Sequence, residues 1–206
     1  MSHGWFRVAL AYMTTDPMWH KGFDDSYDTN PEVWEWGICK CYENYVRKIL
    51  FDPSGSWGYL KPRVGFYTAS NETLYYGNPP SSADAIGGPD WTYIAGGGGW
   101  CASVSTVQKI MRDLRWGTTL GPSFVSGYLF NWANVDEAYS FDPQFKIVDA
   151  RGRRVLYKGG TIDRMKAQVY SFEGANVQLT IACNSNILSP DLRATIMNAW
   201  NTSWAS

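Results

Sequence analysis

A cation followed by two glycines is the most suggestive chemical feature of the chain, in the stretch Lys158-Gly159-Gly160-Thr161. Phe145–Ala150 and Arg153–Tyr157 flank the turn residues Arg151-Gly152, which predicts a hairpin whose second strand has this stretch at its end. Glycine has no Cβ, so a ligand can approach the strand backbone closely, beside a lysine that attracts an anionic group. A second interpretation is that the glycines only turn the chain and that Lys158 is solvated.

Cysteine and histidine are too dispersed to predict a metal site. No Cys-x-x-Cys pair is present, and a chain of this length can build a core without a disulfide framework. We therefore expect reduced cysteines that behave as small buried apolar residues, with no metal and no cofactor. The residues concerned are Cys39, Cys41, Cys101, Cys183, His3 and His20.

Tryptophan is abundant, with eleven residues spread along the whole chain. A cluster of tryptophans would indicate a platform on which sugars or bases stack, whereas dispersed tryptophans are typical of large core fillers. The dispersion favours core positions and the walls of a groove.

Composition and charge exclude several classes of partner. The 206 residues carry a net charge of −1, which gives no electrostatic case for nucleic acid or for an acidic membrane surface. No apolar stretch reaches the length of a membrane span, and the N-terminus does not read as a signal peptide. We expect a cytoplasmic protein, or a secreted one if a leader has been removed.

Helices are predicted on both sides of a loop in the N-terminal half. Gly4–Thr15 is mostly apolar and reads as a short helix, and Met18–Pro31 reads as a loop. Pro31–Phe51 has apolar residues at three- and four-residue steps, with Asn30 as its cap and Pro31 in its first turn. The stretch Ser54–Gly99 is rich in turn residues and reads as a long loop.

The second half predicts an antiparallel sheet between two helices. Ser103–Trp116 has an apolar helical face, and Ser189 with Pro190 opens a final helix. These features imply an α+β fold, in which the C-terminal helix packs on the sheet and the N-terminal half is helices and loops. The predicted strands are Phe145–Ala150, Arg153–Tyr157, Met165–Phe172 and Val177–Cys183.

The glycine run Gly96–Gly99 precedes a helix, which raises the question of nucleotide binding. A Walker loop needs Gly-Lys-Ser/Thr at its end, and a dinucleotide fingerprint needs spaced glycines after a strand. Neither pattern is present, so nucleotide binding is rejected.

The order of four segments resembles the C-terminal part of the serine β-lactamase-related family, which includes class C β-lactamases, DD-peptidases and esterases. Tyr42–Gly55 is similar to the family's helix ending in a Pro-x-Gly turn, and Gly98–Thr106 to its Gly-Gly segment before a helix. Lys158-Gly159-Gly160 takes the place of the Lys/His-x-Gly strand motif. Val177–Trp200 resembles the closing strand and C-terminal helix. Residues 1–206 are therefore interpreted as a single domain of that family.

The resemblance implies roles for individual residues. Lys158 would be the cation of the strand motif, and Tyr27 would be the proton-shuttling tyrosine, since Tyr27-Asp28-Thr29-Asn30 lies near the expected Tyr-x-Asn position with one residue too many. The ligand-binding positions implied are Asn30, Trp100, Gly159, Gly160 and Thr161.

The family's nucleophile motif, Ser-x-x-Lys, does not occur in this chain; its nearest echo is Thr106-Val-Gln-Lys109. By the resemblance, the nucleophile segment and further strands of the sheet would precede Met1. The expected function is thus a serine hydrolase-like domain, catalytically incomplete, that binds a small molecule or peptide in a groove. An active hydrolase with an unrecognised nucleophile and an aromatic-rich carbohydrate-binding module are the alternatives.

An incomplete sheet would leave one edge open. Open edges are normally covered, so a homodimer or a partner chain is expected there.

Overall fold

The computed structural model describes residues 3–14, 22, 24, 25, 27–60, 99–117, 146–162, 165–185 and 189–204. The chain divides into two compact units: Met1–Glu72 with Gly88–Thr106, and Thr73–Gly87 with Val107–Ser206. The units are described separately below. Among the described residues, no helix has both the length and the apolar character needed to cross a bilayer. The fold is α+β, as the sequence predicts.

The first unit contains two helices, α1 (His3–Thr14) and α2 (Pro31–Val46). The Asn30 side chain accepts a hydrogen bond from the Val33 N–H at 3.3 Å, which confirms the predicted cap. After Val46 the helix widens into one π-type turn, Arg47–Phe51. Gly55, with φ of +59°, then reverses the chain in a conformation that glycine adopts easily.

Aromatic and aliphatic side chains form the core of the first unit. The short strands β1 (Tyr59–Leu60) and β2 (Trp100–Cys101) pair antiparallel beside it. Trp100 lies 6.1 Å from the Tyr42 ring and 5.1 Å from the Phe51 ring, measured between centroids. The remaining members of this core are Leu10, Cys39, Tyr45 and Val46.

The prediction that Met18–Pro31 is a loop is wrong for the residues that the structure describes there. Residues 22, 24, 25 and 27–29 are helical. The Thr29 hydroxyl donates to the Asp25 carbonyl at 2.7 Å, and the Tyr12 hydroxyl donates to Asp24 at 2.8 Å. The Tyr12 contact joins this helical segment to α1. Of the predicted loop Ser54–Gly99, residues 61–98 lie outside the described ranges.

The second unit contains α3 (Val104–Trp116), whose residues from Val107 onward belong to it, and a four-stranded antiparallel sheet. Its strands lie side by side in chain order, as expected for successive hairpins. The predicted boundaries of the last two strands are confirmed. The strands are β3 (Lys146–Val148), β4 (Arg154–Ile162), β5 (Met165–Phe172) and β6 (Val177–Cys183).

The C-terminal helix α4 (Ser189–Ser203) covers one face of the sheet. Trp200 stacks on Phe172 with 3.8 Å between ring centroids, and Tyr170 stacks on the other side of Phe172 at 6.0 Å. Val155 is fully buried in the same cluster. Alternation along β5 places Lys166, Gln168, Tyr170 and Phe172 on this face, and all four are buried.

The opposite face of the sheet carries hydrogen bonds to α3. Gln108 accepts a hydrogen bond from the Thr180 hydroxyl at 2.7 Å, and Gln178 donates to the Met111 carbonyl at 3.2 Å. Arg115 donates to the Ser171 hydroxyl at 2.9 Å. The second unit is therefore a sheet between two helices, with an aromatic layer on one side and a hydrogen-bonded layer on the other.

Asp149 stabilises the turn between β3 and β4 and links α4 to this turn through hydrogen bonds. Its carboxylate accepts from the backbone N–H groups of Arg151 and Arg153 at 3.0 and 2.9 Å, and from Arg153 Nε at 2.7 Å. Trp200 Nε1 donates to the same carboxylate at 3.1 Å. Gly152, with φ of +72°, completes the turn. Burial opposes ionisation of Asp149, but these hydrogen bonds outweigh it and lower its pKa to about 2.

Asp149→Asn should lower the free energy of unfolding by about 2 kcal/mol, because Arg153 loses its charged partner at a nearly buried site. Urea denaturation of the purified variant measures this change. Asp52→Asn, at an exposed carboxylate, is the matched control and should change it by less than about 0.5 kcal/mol. Equal losses in the two variants would contradict this role for Asp149.

Acid should remove the same stabilisation. The pKa of Asp149 is lower in the folded protein, about 2, than in an unfolded chain, about 3.9. Its contribution is therefore fully present above pH 4 and is lost as the pH falls towards 2. Denaturation curves between pH 5 and pH 2 should be less pH-dependent for Asp149→Asn than for the wild type, and parallel curves would be inconsistent with the proposed linkage.

Candidate functional site

Lys158, Gly159, Gly160 and Thr161 all lie within β4, which continues to Ile162. Gly159 pairs with Gln168 and Gly160 pairs with Ala167 of β5, so the interpretation that these glycines turn the chain is wrong. Glycine is disfavoured in strands, but pairing with β5 holds both glycines extended. The candidate site is thus an extended strand segment.

The described pairing of β4 changes along its length. β3 pairs with Arg154, Val155 and Leu156. From Tyr157 to Ile162, the described pairing of β4 is with β5. The candidate segment thus lies in the part of β4 beyond its described pairing with β3.

The two glycines have different surroundings. A Cβ on Gly159 would overlap the Tyr157 hydroxyl, so a larger residue there requires the tyrosine side chain to shift. A Cβ on Gly160 would meet only the Ala167 carbonyl oxygen, at 4.0 Å. No contact in the described structure thus requires glycine at position 160.

Lys158 and Gly160 share a face of β4, since side chains alternate and Val155 and Tyr157 belong to the α4 side. Both residues are exposed. Thr161 is also exposed but leaves the strand on the α4 side. The site can therefore offer a cation beside a glycine with no side chain in the way. Such a set can bind an anionic group that lies along the strand.

The other predicted site residues belong to the first unit. Tyr27 is 58 % exposed and meets the Trp34 ring edge-on at 5.2 Å. The Asn30 side chain caps α2, and Trp100 packs in the core. Asn30 and Trp100 thus have structural contacts that account for their residue types, while their ligand-binding roles remain predictions.

The motif echo Thr106-Val-Gln-Lys109 lies in the first turns of α3. Ser103 caps this helix, since its hydroxyl accepts from the Thr106 N–H at 3.1 Å. The Ser103 hydroxyl also donates to the Thr106 hydroxyl at 3.0 Å. The geometry is that of an ordinary helix start.

The described tryptophans include both core residues and exposed residues. Trp100 and Trp200 pack in the two cores. Four others are more than half exposed: Trp36, Trp57, Trp116 and Trp204. Two of these lie near arginines, with Arg47 over Trp57 and Arg115 over Trp116. Within the described residues, no three or more His, Cys, Asp or Glu side chains are grouped to hold a metal.

Lys166 is a polar residue that the sequence interpretation overlooked. Its exposed fraction is only 6 %. The signal was present in the alternation of Met165–Phe172, which places Lys166 on the same strand face as Tyr170 and Phe172.

Comparison of the chain with protein-family models, with curated proteins and with solved structures finds no match. The functional interpretation consequently depends on the order of motifs and on the geometry of β4.

Gly159→Ala should lower the free energy of unfolding by about 1–3 kcal/mol, because the new methyl group would overlap the Tyr157 hydroxyl. Gly160→Ala is the matched control and should change it by no more than about 0.5 kcal/mol. Chemical denaturation measures both.

Whether the new methyl group overlaps the Tyr157 hydroxyl can be tested by introducing Tyr157→Phe into the wild type and into Gly159→Ala. Removing the hydroxyl should make Gly159→Ala less costly than it is with tyrosine present. An unchanged cost in that background would show that Tyr157 is not the obstacle.

Proposed function

We propose that this chain is a β-lactamase/DD-peptidase/esterase-like domain that binds a carboxylate-bearing small molecule or peptide along β4 and is catalytically incomplete by itself. The observation that carries the proposal is that exposed Lys158 and Gly160 share one face of β4. The Lys-x-Gly resemblance of this stretch supports the same interpretation.

The chemistry of this face of β4 supports an anionic ligand. Lys158 adds a charge-assisted contact to a carboxylate, which is shorter and stronger than a neutral hydrogen bond. Gly160 lets the ligand approach because no Cβ stands between it and the backbone.

Catalytic incompleteness follows from the residues that acyl transfer needs. A nucleophile with an adjacent base is required to form an acyl-enzyme, and the chain contains no Ser-x-x-Lys. The nearest hydroxyl–lysine pair, Thr106 with Lys109, is part of a helix start. Loss of the nucleophile in a well-studied serine hydrolase lowers kcat about a millionfold. Oxyanion donors and binding alone would thus give negligible turnover.

Calorimetric titration with a peptide that ends in D-Ala-D-Ala should detect binding to the wild-type chain. Lys158→Met should weaken that binding about tenfold, which corresponds to about 1.4 kcal/mol for one lost charge contact. Lys109→Met removes an equally exposed lysine of α3 and should leave the affinity unchanged. No binding at millimolar peptide, or equal losses in the two variants, would contradict a role for Lys158.

A chromogenic β-lactam and p-nitrophenyl acetate should not be turned over by the purified chain, and a fluorophosphonate probe should not label it. The absence of the nucleophile motif is the reason. Clear turnover that a single Ser→Ala change abolishes would instead identify an active hydrolase.

A further inference from the structure

We draw no further inference here: the strongest candidate, the exposed ring of Trp204 that stacks on Trp200 at the end of the aromatic layer under α4, is a single apolar surface patch, and nothing in the described part of the structure shows what covers it.

Discussion

The second unit depends on two contacts of the Trp200 side chain, one with Phe172 and one with Asp149. The indole ring stacks on Phe172 at 3.8 Å, and its N–H donates to the buried Asp149 carboxylate. One side chain of α4 thereby joins the aromatic layer on the sheet to the turn between β3 and β4. Ala150 adds a second link, since its N–H donates to the Asn201 side chain at 2.9 Å.

This arrangement explains why the two faces of the sheet differ. α4 brings apolar and aromatic side chains, so the face beneath it gains stability mainly from burial. α3 brings Gln108 and Arg115, so the opposite face is held by directed hydrogen bonds to Thr180 and Ser171. Directed bonds specify one position of the helix on the sheet, because displacement would leave partly buried polar groups unpaired.

Two lysines on neighbouring strands of the sheet differ in exposure because they lie on opposite faces. Lys158 is exposed on the α3 side of β4. Lys166 lies on the face of β5 under α4, where its exposed fraction is 6 %. The candidate site on β4 therefore depends on the face that Lys158 shares with Gly160.

Local sequence determined much of this architecture. Alternation predicted β5 and β6 at their observed boundaries, and Asn30 with Pro31 predicted the start of α2, because a cap and a strand period are short-range properties. The extent of β4 was not predictable in this way, since Gly159 and Gly160 favour a turn locally and only pairing with β5 holds them extended. Alternation also tells which residues share a face with Lys166, but not that a helix buries that face. Which elements pack together depends on contacts distant in sequence, and these decided the accessibility of Lys158 and the burial of Lys166.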